Sequence, residues 1–90
     1  MPKYVIERNM PGAGQMSADD LRSASQKSNE VLATMMPRAQ WQQSYVTDDK
    51  LFCIYLADDP EAIREHAAKA GFPVDAVRLV SAVIDPTTAG

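Results

Sequence analysis

One histidine, one cysteine and one tryptophan in 90 residues leave few places where acid–base or metal chemistry could sit. His66 stands in Glu65-His-Ala-Ala-Lys-Ala-Gly71, on the stripe that Ile63 and Ala70 share. An imidazole is suited to general acid/base work and to metal ligation near neutral pH; the plainer alternative is a histidine hydrogen-bonded at the edge of a core. Glu7 is a carboxylate in an otherwise apolar β-forming run. A buried carboxylate needs a partner, and perturbed carboxylates gather at sites. The alternatives are a place near a strand end, or an ion pair with Arg8, Arg38 or Arg78. If Glu7 and His66 meet, the pair could ligate a metal or act as base and orienter. Trp41, Tyr45 and Tyr4 are candidates to line a ligand cleft, with simple core packing as the competing account. Cys53 lies mid-strand with no activating base nearby in sequence and reads as a packed thiol. One His and one Cys cannot complete a tetrahedral zinc site in one chain, and no HxxxH, CxxC or DxDxDG spacing occurs.

The elements that must position these residues follow from pattern and punctuation. Lys3 to Asn9 alternates Tyr4 and Ile6 with Val5 and Glu7 and reads as a strand. Pro11, Gly12 and Gly14 make Met10–Met16 a loop that could lid a cleft, although Gly-Ala-Gly without Lys and Ser/Thr is no phosphate-binding loop. Ser17-Ala-Asp-Asp20 has the spacing of a helix-capping box. Leu21, Ala24, Ser28, Val31, Leu32 and Met35 then recur at three and four, one core-facing stripe, until Pro37 ends the helix near Met36. Gln40–Thr47 and Lys50–Leu56 are β-rich, with Asp48-Asp49 between them as a hairpin turn. Asp59 caps a second helix with Pro60 at its first position, and Gly71 and Pro73 stop it. Val77–Ile84 is nearly continuously apolar and reads as the last strand, followed by a loose tail. The order β-α-β-β-α-β predicts an α+β, ferredoxin-like domain over residues 1–90: four antiparallel strands with two helices on one face.

A turn at Asp48-Asp49 pairs Val46 with Leu51, Tyr45 with Phe52 and Ser44 with Cys53. One face of the hairpin then carries Trp41, Gln43, Tyr45, Phe52, Ile54 and Leu56, the more apolar set and the expected partner of the helices. The other carries Gln42, Ser44, Val46, Leu51, Cys53 and Tyr55, and Val77–Ile84 is apolar on both sides. A lone subunit would leave an apolar face in water, so a homodimer closed through the open sheet face, with Tyr55 in it, is expected. So small a domain is marginally stable alone, and the lone cysteine rules out an intrachain disulfide.

Basic residues are scattered singly and the formal net charge is -3, which gives nucleic acid no electrostatic footprint. No apolar run approaches the ~20 residues of a membrane span, and MPKYVIERN lacks a signal-peptide core. With an unpaired thiol, these features make a cytoplasmic protein the expectation.

KYVIER at the start, QWQQSYVTDDKLFCIYLADDPEAIREHAAKAGFP in the middle and VIDPTTA near the end resemble a family of short bacterial proteins known as the domain-of-unknown-function family 4242. The resemblance covers nearly the whole chain and is most specific from Trp41 to Pro73. It implies a ferredoxin-like fold, a dimer and possession of a nickel-binding actinobacterial relative. That relative's histidine-rich start is not matched here, where Glu7, Arg8 and Asn9 stand, so His66 is the one shared candidate as a metal ligand. Three functions stay open. One is a small dimeric binding module for a small molecule or a divalent metal such as nickel. The second is a dimeric ferredoxin-like enzyme, monooxygenase- or isomerase-type, with His66 as acid/base. The third is a structural or regulatory dimer without a ligand. The residue pattern does not decide between enzyme and binder.

Overall fold

The computed structural model describes residues 1–90. Its elements are β1 (Lys3–Asn9), α1 (Ala18–Ala33), β2 (Ala39–Val46), β3 (Lys50–Ala57), α2 (Pro60–Ala70) and β4 (Ala76–Leu79). The strands form one antiparallel sheet in the order β2-β3-β1-β4, the split arrangement expected of a ferredoxin-like chain. No helix is long and apolar enough to cross a membrane.

The helices start where side chains can replace missing backbone partners. Ser17 accepts from the Asp20 amide while Asp20 reaches back to the Ser17 amide, a complete capping box. Asp59 accepts from the Ala62 amide ahead of Pro60. At the far end of α2, Gly71 takes φ 77°, the left-handed conformation that glycine tolerates best, and its amide bonds back to Ala67. That reversal brings Phe72 and Pro73 under the sheet. Helix α1 stops at Ala33, three residues before the end expected near Met36, because Thr34–Pro37 turns toward β2.

The core lies between the helices and one face of the sheet. It gathers Tyr4 and Ile6 of β1, Cys53, Tyr55 and Ala57 of β3, Leu32 of α1, and Ala62 and Ile63 of α2. This reverses the expected assignment of the hairpin faces. The hairpin pairing itself is as expected, with Val46 opposite Leu51, Tyr45 opposite Phe52 and Ser44 opposite Cys53. Yet Leu51, Cys53 and Tyr55 face the helices, and Phe52, Ile54 and Leu56 face away. Composition could not separate two apolar faces; the third strand does, because Tyr4 and Ile6 pair with Tyr55 and Cys53. Tyr55 is therefore core, not interface.

A β-bulge corrects a second expectation. Trp41 opposes Tyr55 and Gln43 opposes Ile54, so β2 carries one extra residue at Gln42. Trp41 thereby joins the helix-facing side, while Gln43 and Tyr45 stay on the open one. The last strand is also shorter than its apolar run, ending at Leu79 rather than Ile84. Val80 donates to the carbonyl of Lys3, the first residue of β1, and the β1–β4 pairing goes no further. Val83 and Ile84 are left 72% and 77% exposed. The tail is not loose, since Pro86–Ala89 forms a 3₁₀ turn capped by Asp85.

Candidate functional site

Between the helix-facing side of the sheet, α1 and the segment after α2 lies a cavity of about 200 Å³. Its walls are mainly apolar: Leu21 and Ala24 from α1, Trp41 and Leu51 from the hairpin, Met10 and Met16 from the loop after β1. That loop is tied to the hairpin turn. The Met10 amide donates to Asp49 O at 2.8 Å and the Gly14 amide to Asp48 O at 2.9 Å. The Gly12 amide donates to Asp49 Oδ1 at 3.0 Å. Gly14 lies tight against the turn, where an added Cβ would come 3.0 Å from Asp48 Cα. The expected lid is thus a pinned wall.

The polar members of the cavity are one cation, Arg8, and four hydroxyls, those of Ser25, Ser28, Ser44 and Tyr55. Ser44 accepts from Trp41 Nε1 at 2.9 Å, which fixes the indole. Arg8 follows Tyr4 and Ile6 at period two, so β1 aims it at the helices, and it is only 2% exposed. Its Nη1 donates to Pro73 O at 2.7 Å and its Nε to Cys53 Sγ at 3.5 Å. Its guanidinium carbon lies 5.6 Å from the centre of the Phe72 ring, and Nη2 has no partner. No carboxylate forms an ion pair with it.

His66 sits behind the cavity wall, fully buried. Its Nε2 lies 3.1 Å from Ser28 Oγ, its ring is 5.4 Å from the ring of Tyr55 and 6.1 Å from that of Phe72, and Nδ1 has no partner. Burial first, then the positive charge of Arg8, holds the imidazole below the ordinary histidine range, against the opposing bond from Ser28. His66 is therefore neutral at neutral pH. Burial likewise pushes the Tyr55 phenol up, with Ser28 and Arg8 pulling the other way. The Ser28–His66 distance is that of a nucleophile and its base. A working pair needs an acceptor on Nδ1 to orient the ring, and that group is missing.

The four residues singled out in the sequence do not form one site. Trp41 lines the cavity, and His66 touches the cavity residues Ser28, Tyr55 and Phe72 from behind. Tyr45 is 55% exposed on the opposite face of the sheet, moved away from Trp41 by the bulge. Glu7 also faces away from the helices, where Lys50 Nζ pairs with it at 3.0 Å. The proposed meeting of Glu7 with His66 fails because the sheet separates them. Sequence reasoning passed over Arg8, Ser28 and Phe72. Arg8 had a legible signal, the Tyr4-Ile6-Arg8 alternation, whereas the place of Phe72 depends on how Gly71 turns the chain.

The residues do not fit a nickel site within one chain. Nowhere do three His, Cys, Asp or Glu side chains converge. A cation near Cys53 or His66 would face the Arg8 guanidinium, and the only nitrogen His66 has spare is sealed in the core. His66 is accordingly not supported as a metal ligand.

The sheet order and the cavity define a small ferredoxin-like α+β protein with a partly open pocket under its helices. Residues 4–80 match the family described as nickel responsive protein, SCO4226-like, and the chain belongs to that family. The crystal structure of SCO4226 from Streptomyces coelicolor A3(2) superposes with a TM-score of 0.77 at 18% sequence identity, over 91% of this chain and 99% of that one. At that identity the likeness establishes the fold. No curated protein matches the chain.

Proposed function

We propose that this chain is a binding module for a small, largely apolar organic molecule, and that it acts as a homodimer. The observation that carries the binding reading is the apolar cavity of about 200 Å³ beneath α1, walled by a loop pinned in place. Its size is below the ~300–1,000 Å³ of pockets for drug-sized ligands, so the occupant is small. The dimer reading rests on the other side of the sheet. Val5, Phe52, Ile54 and Leu56 lie there as an apolar patch with no helix over it, and Val83 and Ile84 project from an unpaired extended segment nearby in sequence to β4. An antiparallel sheet with a free face normally carries polar residues on it; a second copy would cover these instead. The enzyme reading with His66 as acid/base has less support, since Nε2 is engaged by Ser28 and Nδ1 is buried without an orienting partner.

The test is native mass spectrometry with metal analysis on protein purified without a histidine tag, followed by titration with nickel. The expected result is twice the monomer mass, with no stoichiometric nickel. A monomer at high concentration would overturn the dimer, and one nickel per chain bound tightly would overturn the organic-ligand reading.

A further inference from the structure

Arg8 is a charge that the fold does not neutralise. Burying a guanidinium without a counter-ion is expensive, and native interiors rarely leave one so. Here the side chain lines the cavity yet is 2% exposed, anchored through Nε and Nη1, backed by the face of Phe72, and left with Nη2 buried and unpartnered. The two anchoring bonds fix the plane of the fork. Glu7, next to it in sequence, is on the far side of the sheet with Lys50. The rest of the cavity offers three serine hydroxyls, the Tyr55 phenol and apolar walls, with no second cation. Resting on the binding reading above, we infer that the cavity takes a small apolar monocarboxylate, its carboxylate toward the Arg8 guanidinium and its hydrocarbon body against Leu21, Trp41 and Leu51. A planar guanidinium suits a planar carboxylate, and a single cation suits it better than a doubly charged phosphate.

Trp41 is the sole tryptophan and His66 the sole histidine, so fluorescence and ring NMR signals report the cavity without assignment. The full chain is titrated with benzoate and hexanoate, with the neutral isosteres benzamide and hexanamide, and with inorganic phosphate. Each carboxylate is expected to bind at least ten-fold more tightly than its amide, and phosphate not to compete. In Arg8→Met the preference disappears while amide binding remains; Arg8→Gln serves as the second variant should the first fail to fold. Acids and amides binding alike, or a preference that survives removal of Arg8, would overturn the inference and leave the binding module standing. Phosphate displacing benzoate would overturn the carboxylate assignment. If none of the probes moves the Trp41 or His66 signals, the inference and the binding reading fall together.

Discussion

Glu7 and Arg8 are adjacent in β1 and of opposite charge, and the pleat sends them to opposite sides of the sheet. On the open side the carboxylate keeps contact with water and has Lys50 at 3.0 Å. On the helix side the guanidinium is sealed in and has no anion. The exposed charge is satisfied although it needs little; the buried one is unsatisfied although it needs much. In water an ion pair is a minor contributor, whereas in the interior a missing partner dominates the local energetics. The same contrast recurs on α2. Glu65 is held down at about 2 by Arg38 and then Lys69, at the surface, while its neighbour His66 is buried with a single bond. Glu7 and Glu65 on the outside of this protein are paired, whereas Arg8 Nη2 and His66 Nδ1 inside it are not.

This contrast can be broken from either side. The largest effect belongs to the core. Ile6→Ala should cost about 2–5 kcal/mol in urea denaturation. Ile54→Ala on the open face, measured at a concentration too low for association, should cost no more than about 1 kcal/mol. Comparable losses would mean that the two faces are not distinct. Next comes Arg8→Met in the absence of ligand. Replacing an uncompensated buried charge by an apolar chain should raise stability by about 1 kcal/mol or more, and a loss of that size would show that Arg8 is structural.

The pH dependence of stability sharpens the same point. His66 titrates lower in the folded chain than in the unfolded one, where its value is near 6.5. Between those two values the unfolded chain binds more protons, so stability should fall as pH drops below about 6.5, then stop falling once the folded form also protonates. His66→Gln should flatten this limb in thermal melts across pH 7 to 5. The smallest effect is on Glu7→Gln, which should cost under about 1 kcal/mol, and less in high salt.

Much of the architecture was readable because local signals were unambiguous. Ser17, Asp59, Pro60 and Gly71 mark helix ends by backbone chemistry that does not depend on the rest of the chain. The hairpin register followed from the position of Asp48-Asp49. What failed were properties that depend on a neighbour. Which face of β3 is core is decided by β1 and the helices, and Tyr55 and Ile54 look equally suited to it. The bulge at Gln42 leaves no mark in a run of glutamines, yet it separates Trp41 from Tyr45. The end of β4 is set by where β1 begins. The site was half legible: His66 and Trp41 belong to the cavity region, while Glu7 was chosen over Arg8 because an isolated carboxylate drew more notice than an arginine on an apolar face.

The three hydrogen bonds that tie the Met10–Met16 loop to the Asp48–Asp49 turn bear on time more than on affinity. Met10 and Met16 can draw back from the cavity only if the loop lets go of the turn, which makes that wall a local unfolding event with its own rate. Exchange between cavity and solvent on that side is then clocked by a turn that touches no occupant. Gly14→Ala, which would press a methyl group against the Asp48 backbone, acts on that clock from a position that is not itself part of the cavity lining.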